Sequence, residues 1–301
     1  MSDALTLTNV SKLFGSQIAV ANLNAGIPES CIYGFLGPNG AGKTTTIRMI
    51  MSILYPDSGE INILGHAKPE EVKDRIGYLP EEKGLYKKMK PLELVSYFGQ
   101  LKGMSPGNAK RAGKKLLEEF KLGNHLQKTC ESLSKGMGQK VQIAATLVHD
   151  PDIVILDEPF SGLDPINIEL VREVILKLKK SGKTVIFSTH IMEQAEQICD
   201  YVMLFNKGSK ILDGKIGDIK QGFAQSVRIE YSGDISFLEK HHGVVRINDM
   251  GNKAEVTLDP NFTPQNLVRD LVGRGTQLTH FSVTQASLHE IFVRAVKDSD
   301  E

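Results

Sequence analysis

The octapeptide Gly37-Pro38-Asn39-Gly40-Ala41-Gly42-Lys43-Thr44 constrains this chain more than any other stretch. It matches GxxxxGK[ST], and it joins an apolar β-rich run, Cys31 to Leu36, to a helical pattern from Thr44 to Met51. Glycines let backbone amides turn inward around an anion, and the start of a helix adds its positive end. Lys43 supplies a point charge for the β- and γ-phosphates of a nucleotide, and the Thr44 hydroxyl suits Mg²⁺. A plain glycine-rich turn has the same spelling, so a second element has to discriminate. Ile153-Val154-Ile155-Leu156 reads as a buried strand that ends in Asp157-Glu158. Adjacent acids at a buried strand end cost solvation unless a cation or a proton uses them. Asp157 is therefore the candidate Mg²⁺ ligand and Glu158 the candidate general base for an attacking water. The rival reading is a strand followed by a solvated turn at Pro159.

Around these motifs, short β-rich runs (Leu5 to Val10, Thr184 to Ser188, Tyr201 to Phe205) alternate with helical patterns (Ile166 to Lys180, Ile191 to Cys199). That alternation predicts an α/β fold with a mostly parallel sheet covered on both faces. Residues of about 82–135 break the rhythm: Pro91 to Lys102 and Ala109 to Lys121 are helical and no strand lies between them, which predicts an inserted helical subdomain. Past a polar, Gly-containing stretch at Asp218 to Ala224 the pattern changes again. Strands at Val227 to Tyr231, Val244 to Ile247, Ala254 to Leu258 and Gln277 to Val283 mix with helices at Ile235 to His241, Pro264 to Gly273 and Leu288 to Val296. The expected division is 1–220 and 226–301, the second part a small α+β domain.

Lys plus Arg and Asp plus Glu both count 36, so no bulk positive field favours nucleic acid, and none is expected as a partner. Cys31, Cys130 and Cys199 lack zinc or CxxC spacing and read as reduced thiols. Met1 to Val10 has no leader-like pattern, and no apolar run reaches the roughly 18 residues of a membrane span.

Leu133-Ser134-Lys135-Gly136-Met137-Gly138-Gln139-Lys140 precedes the acid-bearing strand and resembles the LSGGQ signature of ABC ATPases. The chain is thereby identified as similar to ABC transporter ATP-binding subunits over about residues 4–220. That resemblance implies the P-loop NTPase fold of the family, a RecA-like core plus helical subdomain, with ATP and Mg²⁺ bound. Gly37, Pro38, Asn39, Gly40, Ala41, Gly42, Lys43, Thr44 and Thr45 would form the cradle of one subunit. Ser134 and the Gly136 amide would reach the γ-phosphate held by a second subunit, although Ser134 is equally an ordinary helix cap. Ser161-Gly162-Leu163-Asp164 looks like the loop that crosses between subunits, which adds Asp164. Ser188-Thr189-His190 ends a strand as the family's switch histidine does. Phe14, in Lys12-Leu13-Phe14-Gly15, stands where the family stacks an aromatic on adenine, with a buried or turn-flanking aromatic as the alternative.

Two departures stand out. Glu81 occupies the position of the family's glutamine, as a possible Mg²⁺ ligand that also adds negative charge beside the phosphates. Lys135 and Met137 replace a glycine and the glutamine of the signature. Neither change touches Thr44, Asp157, Glu158 or His190, so an active ATPase is expected. The run from Ile76 to Tyr86, which includes Glu82, Lys83 and Leu85, the Lys-Gly-Met form of the signature and the C-terminal Leu288-His289-Glu290-Ile291-Phe292 resemble the NatA-like export branch. The resemblance implies a cytoplasmic subunit, peripheral at the inner face of the membrane, that dimerises with itself or a close relative. It would drive a separate permease, with sodium or toxic compounds as the exported class. Tyr86, Met89, Leu92 and Tyr97 are candidates for the docking groove or, equally, for helix core. Other readings are a soluble ABC ATPase of translation or DNA repair, and a regulatory nucleotide-binding module.

Overall fold

The computed structural model describes residues 2–81, 84, 86–221, 226–259, 261–284 and 286–300. Glu82, Lys83 and Leu85 of the run after Ile76, and positions 222–225 of the polar stretch, lie outside them. The chain divides into two compact units, Met1–Asp213 and Gly214–Glu301, a few residues earlier than the sequence suggests.

The first unit opens with β1 (Asp3–Phe14), β2 (Gln17–Pro28) and β3 (Ile32–Leu36), then α1 (Lys43–Ile50), β4 (Ser58–Ile63) and β5 (Ile76–Leu79). Three helices follow, α2 (Pro91–Leu101), α3 (Pro106–Glu119) and α4 (Lys135–Leu147). The unit continues through β6 (Ile153–Asp157), α5 (Pro165–Lys180), β7 (Thr184–Thr189), α6 (Met192–Ile198), β8 (Tyr201–Asn206) and most of β9 (Ser209–Lys215). The main sheet runs in the order β5-β6-β7-β3-β8-β9, with parallel pairing from β5 to β8. Every residue of β3, β6 and β7 is buried, as strands covered on both faces must be. Tyr33, Phe35 and Phe205 fill the core between this sheet and its neighbours.

A second sheet, β2-β1-β4, is antiparallel and was not expected. Strand β4 alternates polar and apolar residues over only six positions, and β2 has just a four-residue apolar run, Ile18 to Ala21, before Asn22 and Asn24 interrupt it, so neither stands out as a strand by itself. Cap chemistry sets several helix starts. Ser105, Asp164 and Thr263 each accept the N–H three residues on and are followed by proline, which has no N–H to leave unpaired.

The second unit holds α7 (Ile216–Gln221), β10 (Ser226–Ser232), β11 (Val244–Asp249), β12 (Lys253–Leu258), α8 (Pro264–Gly273), β13 (Gln277–Thr284) and α9 (Leu288–Asp300). Its sheet, β11-β12-β10-β13, is antiparallel throughout. Val227, Ile229, Ala254, Val256, Leu267 and Leu271 form its core. The helix expected over Ile235 to His241 is a 3₁₀ turn, Ser236–Lys240, too short to sustain α-helical bonding before Gly243. Among the described residues, no helix is long and apolar enough to cross a membrane.

Candidate nucleotide site

Leu36 delivers the chain from the buried end of β3 into the glycine loop, and α1 begins at Lys43. Gly42 has φ of 106°, and a Cβ there would lie 2.6 Å from the Ala19 carbonyl oxygen, so glycine is required on both counts. Its neighbour Lys43 is only 5% exposed. The ammonium donates to the carbonyls of Gly37 at 2.7 Å and Pro38 at 3.0 Å, and stands 3.9 Å from Glu158 Oε1. Burial pushes its pKa down, and the charges of Glu158, Asp157 and Glu81 oppose that. A cation kept in place against its desolvation cost marks a site that serves anions.

Asp157 ends β6 with no exposure. Its Oδ1 accepts from the Thr44 hydroxyl at 3.2 Å and from the Ser188 hydroxyl. Oδ2 is buried and has no hydrogen-bond partner among the described residues. Burial pushes the carboxyl's pKa up, the Ser188 and Thr44 hydrogen bonds hold it down, and Glu81 adds to the rise. An orphaned carboxylate oxygen beside a threonine hydroxyl is a donor set for a hard cation, and that is the fit a Mg²⁺ ion needs.

Glu158 follows with φ of 49°, a left-handed conformation uncommon outside glycine. Its N–H donates to Ser188 Oγ at 2.9 Å, and both carboxylate oxygens lie 3.1 Å from His190 Nδ1. One serine thus holds two successive acids, accepting from the backbone of Glu158 while donating to the side chain of Asp157. Replacing Ser188 by Ala is expected to lower the unfolding free energy of this unit by about 1.5–3 kcal/mol, the worth of a hydrogen bond to a buried charge. Denaturant titration with an unchanged slope would read it out.

A cavity of 410 Å³ gathers Phe14, Asn39 through Thr45, Glu81 and Glu158, with Gln17 and Ala19 of β2. Phe14 is half exposed at the end of β1, paired with Gln17 across the turn, and Lys12 Nζ sits 5.8 Å from its ring centre. It is turn-flanking rather than buried, with its face available to a planar ring. No role is assigned to Ser188, Gln17, Ala19 or Gln139 from the sequence alone. The Gln139 amide donates to the Pro159 carbonyl directly after the acids.

Ser134, Gly136 and Asp164 do not line this cavity. Ser134 caps α4 by accepting the Met137 N–H at 3.3 Å, and Asp164 caps α5 by accepting the Asn167 N–H at 2.9 Å. A Cβ on Gly136 would lie 2.5 Å from Asn167 Nδ2, so this glycine also permits close packing within its own chain. Among the described residues, nothing brings the three to the cradle.

Residues 20–161 match the family model for "ABC transporter", and residues 214–296 match "ATP-binding protein DrrA1-3-like, C-terminal domain". The chain is 39% identical to the uncharacterized ABC transporter ATP-binding protein YhaQ of Bacillus subtilis, over 97% of this chain and 98% of that one. It is 38% identical to the ABC transporter ATP-binding protein NatA of the same organism, over 78% and 96%. The linearmycin resistance ATP-binding protein LnrL, also of Bacillus subtilis, is 30% identical over 96% and 97%. A solved "ATP binding subunit of ABC transporter" superposes with a TM-score of 0.67 at 31% identity, covering 73% of this chain and 92% of that chain.

Proposed function

This chain belongs to the ABC transporter ATP-binding proteins, and from that premise we propose which of its residues carry the activity and what it works with. It is an ATP-binding, ATP-hydrolysing subunit with Mg²⁺ as the accompanying ion. The observation that supports the residue roles is that the cavity-lining Lys43, Thr44 and Glu158 carry, in turn, a buried ammonium, a hydroxyl bonded to Asp157 with its orphaned oxygen just behind the cavity, and a carboxylate in contact with His190.

On this reading the loop amides and Lys43 grip the phosphates, and Phe14 stacks on the base. Thr44 and Asp157 hold the metal, with Glu81 as a further carboxylate at its edge. Mg²⁺, when bound, supplies positive charge that draws electron density from the phosphoryl oxygens. Glu158 accepts the proton of the attacking water, and His190 fixes the direction of its carboxylate. Ser134, Gly136 and Asp164 complete the site of a second copy. This explains why they cap helices in one chain and stay away from its own cradle. Two protomers, identical or closely related, therefore close over two nucleotides.

The membrane partner is a permease, and the subunit acts at the cytoplasmic face. Export is the favoured direction, because LnrL matches almost end to end and is named for resistance. A toxic compound or sodium ion is the corresponding cargo class. For the permease contact we put forward Tyr86 and Tyr97, whose rings lie 6.1 Å apart edge to face and are 53% and 40% exposed. Met89 and Leu92 are half-buried and serve the helices instead. Exposed, paired aromatics suit an interface better than a solvated face. Copurification with the permease from detergent extracts is expected to fail for the Tyr86→Ala, Tyr97→Ala double variant while basal ATP hydrolysis persists. Undiminished copurification would move the contact elsewhere.

A further inference from the structure

The C-terminal unit carries an open polar groove of 140 Å³ of its own. Along β10 and β12 the side chains alternate. Val227, Ile229 and Tyr231 and their partners Ala254, Val256 and Leu258 fill the core, which sends Ser226, Glu255 and Thr257 to the opposite face. These residues line the groove together with Arg246 of β11 and with Glu290 and Arg294 of α9. A polar sheet face is ordinarily left to solvent. Here α9 flanks part of it, and Arg246, Glu290 and Arg294 remain exposed along the groove between them.

Both acids are already engaged. Glu255 accepts from Arg228 Nε at 3.3 Å. Glu290 accepts the Ser287 N–H at 2.8 Å and the Ser287 hydroxyl at 3.0 Å, while Ser287 Oγ accepts the Glu290 N–H at 3.2 Å, a reciprocal cap at the start of α9. The Ser287 backbone N–H chiefly holds the Glu290 carboxyl below its usual range, with the charges of Arg294 and Arg228 contributing. The guanidinium groups of Arg246 and Arg294 form no hydrogen bond and no ion pair among the described residues. Ser226 and Thr257, whose hydroxyls bond to each other at 3.3 Å, leave one further O–H to donate. Two forked cations with no hydrogen-bond partner among the described residues and a hydroxyl pair along one open polar groove suit an acceptor with negative charge.

We propose that this groove binds a small oxyanion, a carboxylate or phosphoryl group, bridged between Arg246 on the sheet and Arg294 on α9. It is distinct from the 410 Å³ nucleotide cavity and too small to take a whole nucleotide. An anion there ties α9 to the sheet through both guanidinium forks. This inference does not depend on the roles assigned to Lys43, Asp157 or Glu158.

Methyl-labelled alanines in the full-length chain report each place separately. Ala286 lines the C-terminal groove, Ala19 and Ala41 line the nucleotide cavity, and the buried Ala254 monitors folding. Sodium sulfate and sodium acetate are titrated against sodium chloride at matched ionic strength. The Ala286 methyl signal is expected to shift saturably with a midpoint on the order of 1 mM. The midpoint should weaken at least about tenfold in Arg246→Gln, and the shift should vanish when Arg294→Gln is added, while the Ala41 response and the Ala254 signal stay unchanged. A stronger response to sulfate assigns a phosphoryl ligand, and a stronger response to acetate a carboxylate. An Ala286 signal that ignores both anions, follows chloride equally, or responds fully in the double variant would overturn the proposal.

Discussion

Glu158→Gln should cut ATP turnover by about 10²–10⁴-fold while nucleotide binding is retained. Glutamine has the same shape, can keep the contact with His190 Nδ1, and inherits the left-handed backbone that Ser188 stabilises through the residue's own N–H. What it lacks is the negative oxygen that, on the proposed assignment, takes a proton from water. It also relieves Lys43 of a carboxylate 3.9 Å away, which frees the ammonium for phosphate rather than weakening its grip. Steady-state phosphate release paired with equilibrium nucleotide binding separates the two effects. Turnover at the unmodified rate would place the base elsewhere in the cavity, and loss of binding would make Glu158 a structural residue.

Lys43→Ala should act the opposite way, abolishing binding before chemistry is reached. Each charge-assisted hydrogen bond to a phosphate oxygen contributes about 1.5–3 kcal/mol. Losing the contacts to two phosphates therefore predicts a fall in affinity of at least about 100-fold. The unliganded protein should suffer as well. Asp157 is fully buried and Glu158 nearly so, and removing their nearest cation leaves two acids side by side, a change of about 3 kcal/mol in unfolding free energy. Calorimetric titration with Mg·ATP and denaturant unfolding test the two halves of this expectation. An unchanged affinity would mean that the loop amides alone hold the nucleotide.

The parts of the site that lie contiguous in the chain were the parts legible in the sequence. Gly37 to Thr44 and Asp157-Glu158 are local patterns whose chemistry follows from residue type and from the strand before them. Ser188 was quoted only as the prelude to His190. Its double hydrogen bond depends on β6 and β7 being sheet neighbours with Asp157 opposite Ser188, a register that no short window of sequence contains. Gln17 and Ala19 went unrecognised with β2, whose apolar run Ile18 to Ala21 is short and broken by Asn22 and Asn24. In the second unit, clean alternation made β10 and β12 readable. The 3₁₀ turn over Ser236–Lys240 shows the same residues giving too few turns for the helix their apolar spacing suggested. Ser134 and Asp164 are the subtler case: both are helix caps in one chain, and the proposed second role requires another copy.

Sedimentation of the Glu158→Gln protein with Mg·ATP tests most directly whether a nucleotide is held between the cradle of one copy and the α4 start of another. The account predicts a dimer with Mg·ATP, a monomer with Mg·ADP, and a monomer in both when Ser134→Arg is added. A protein that stays monomeric while saturated with Mg·ATP would contradict it.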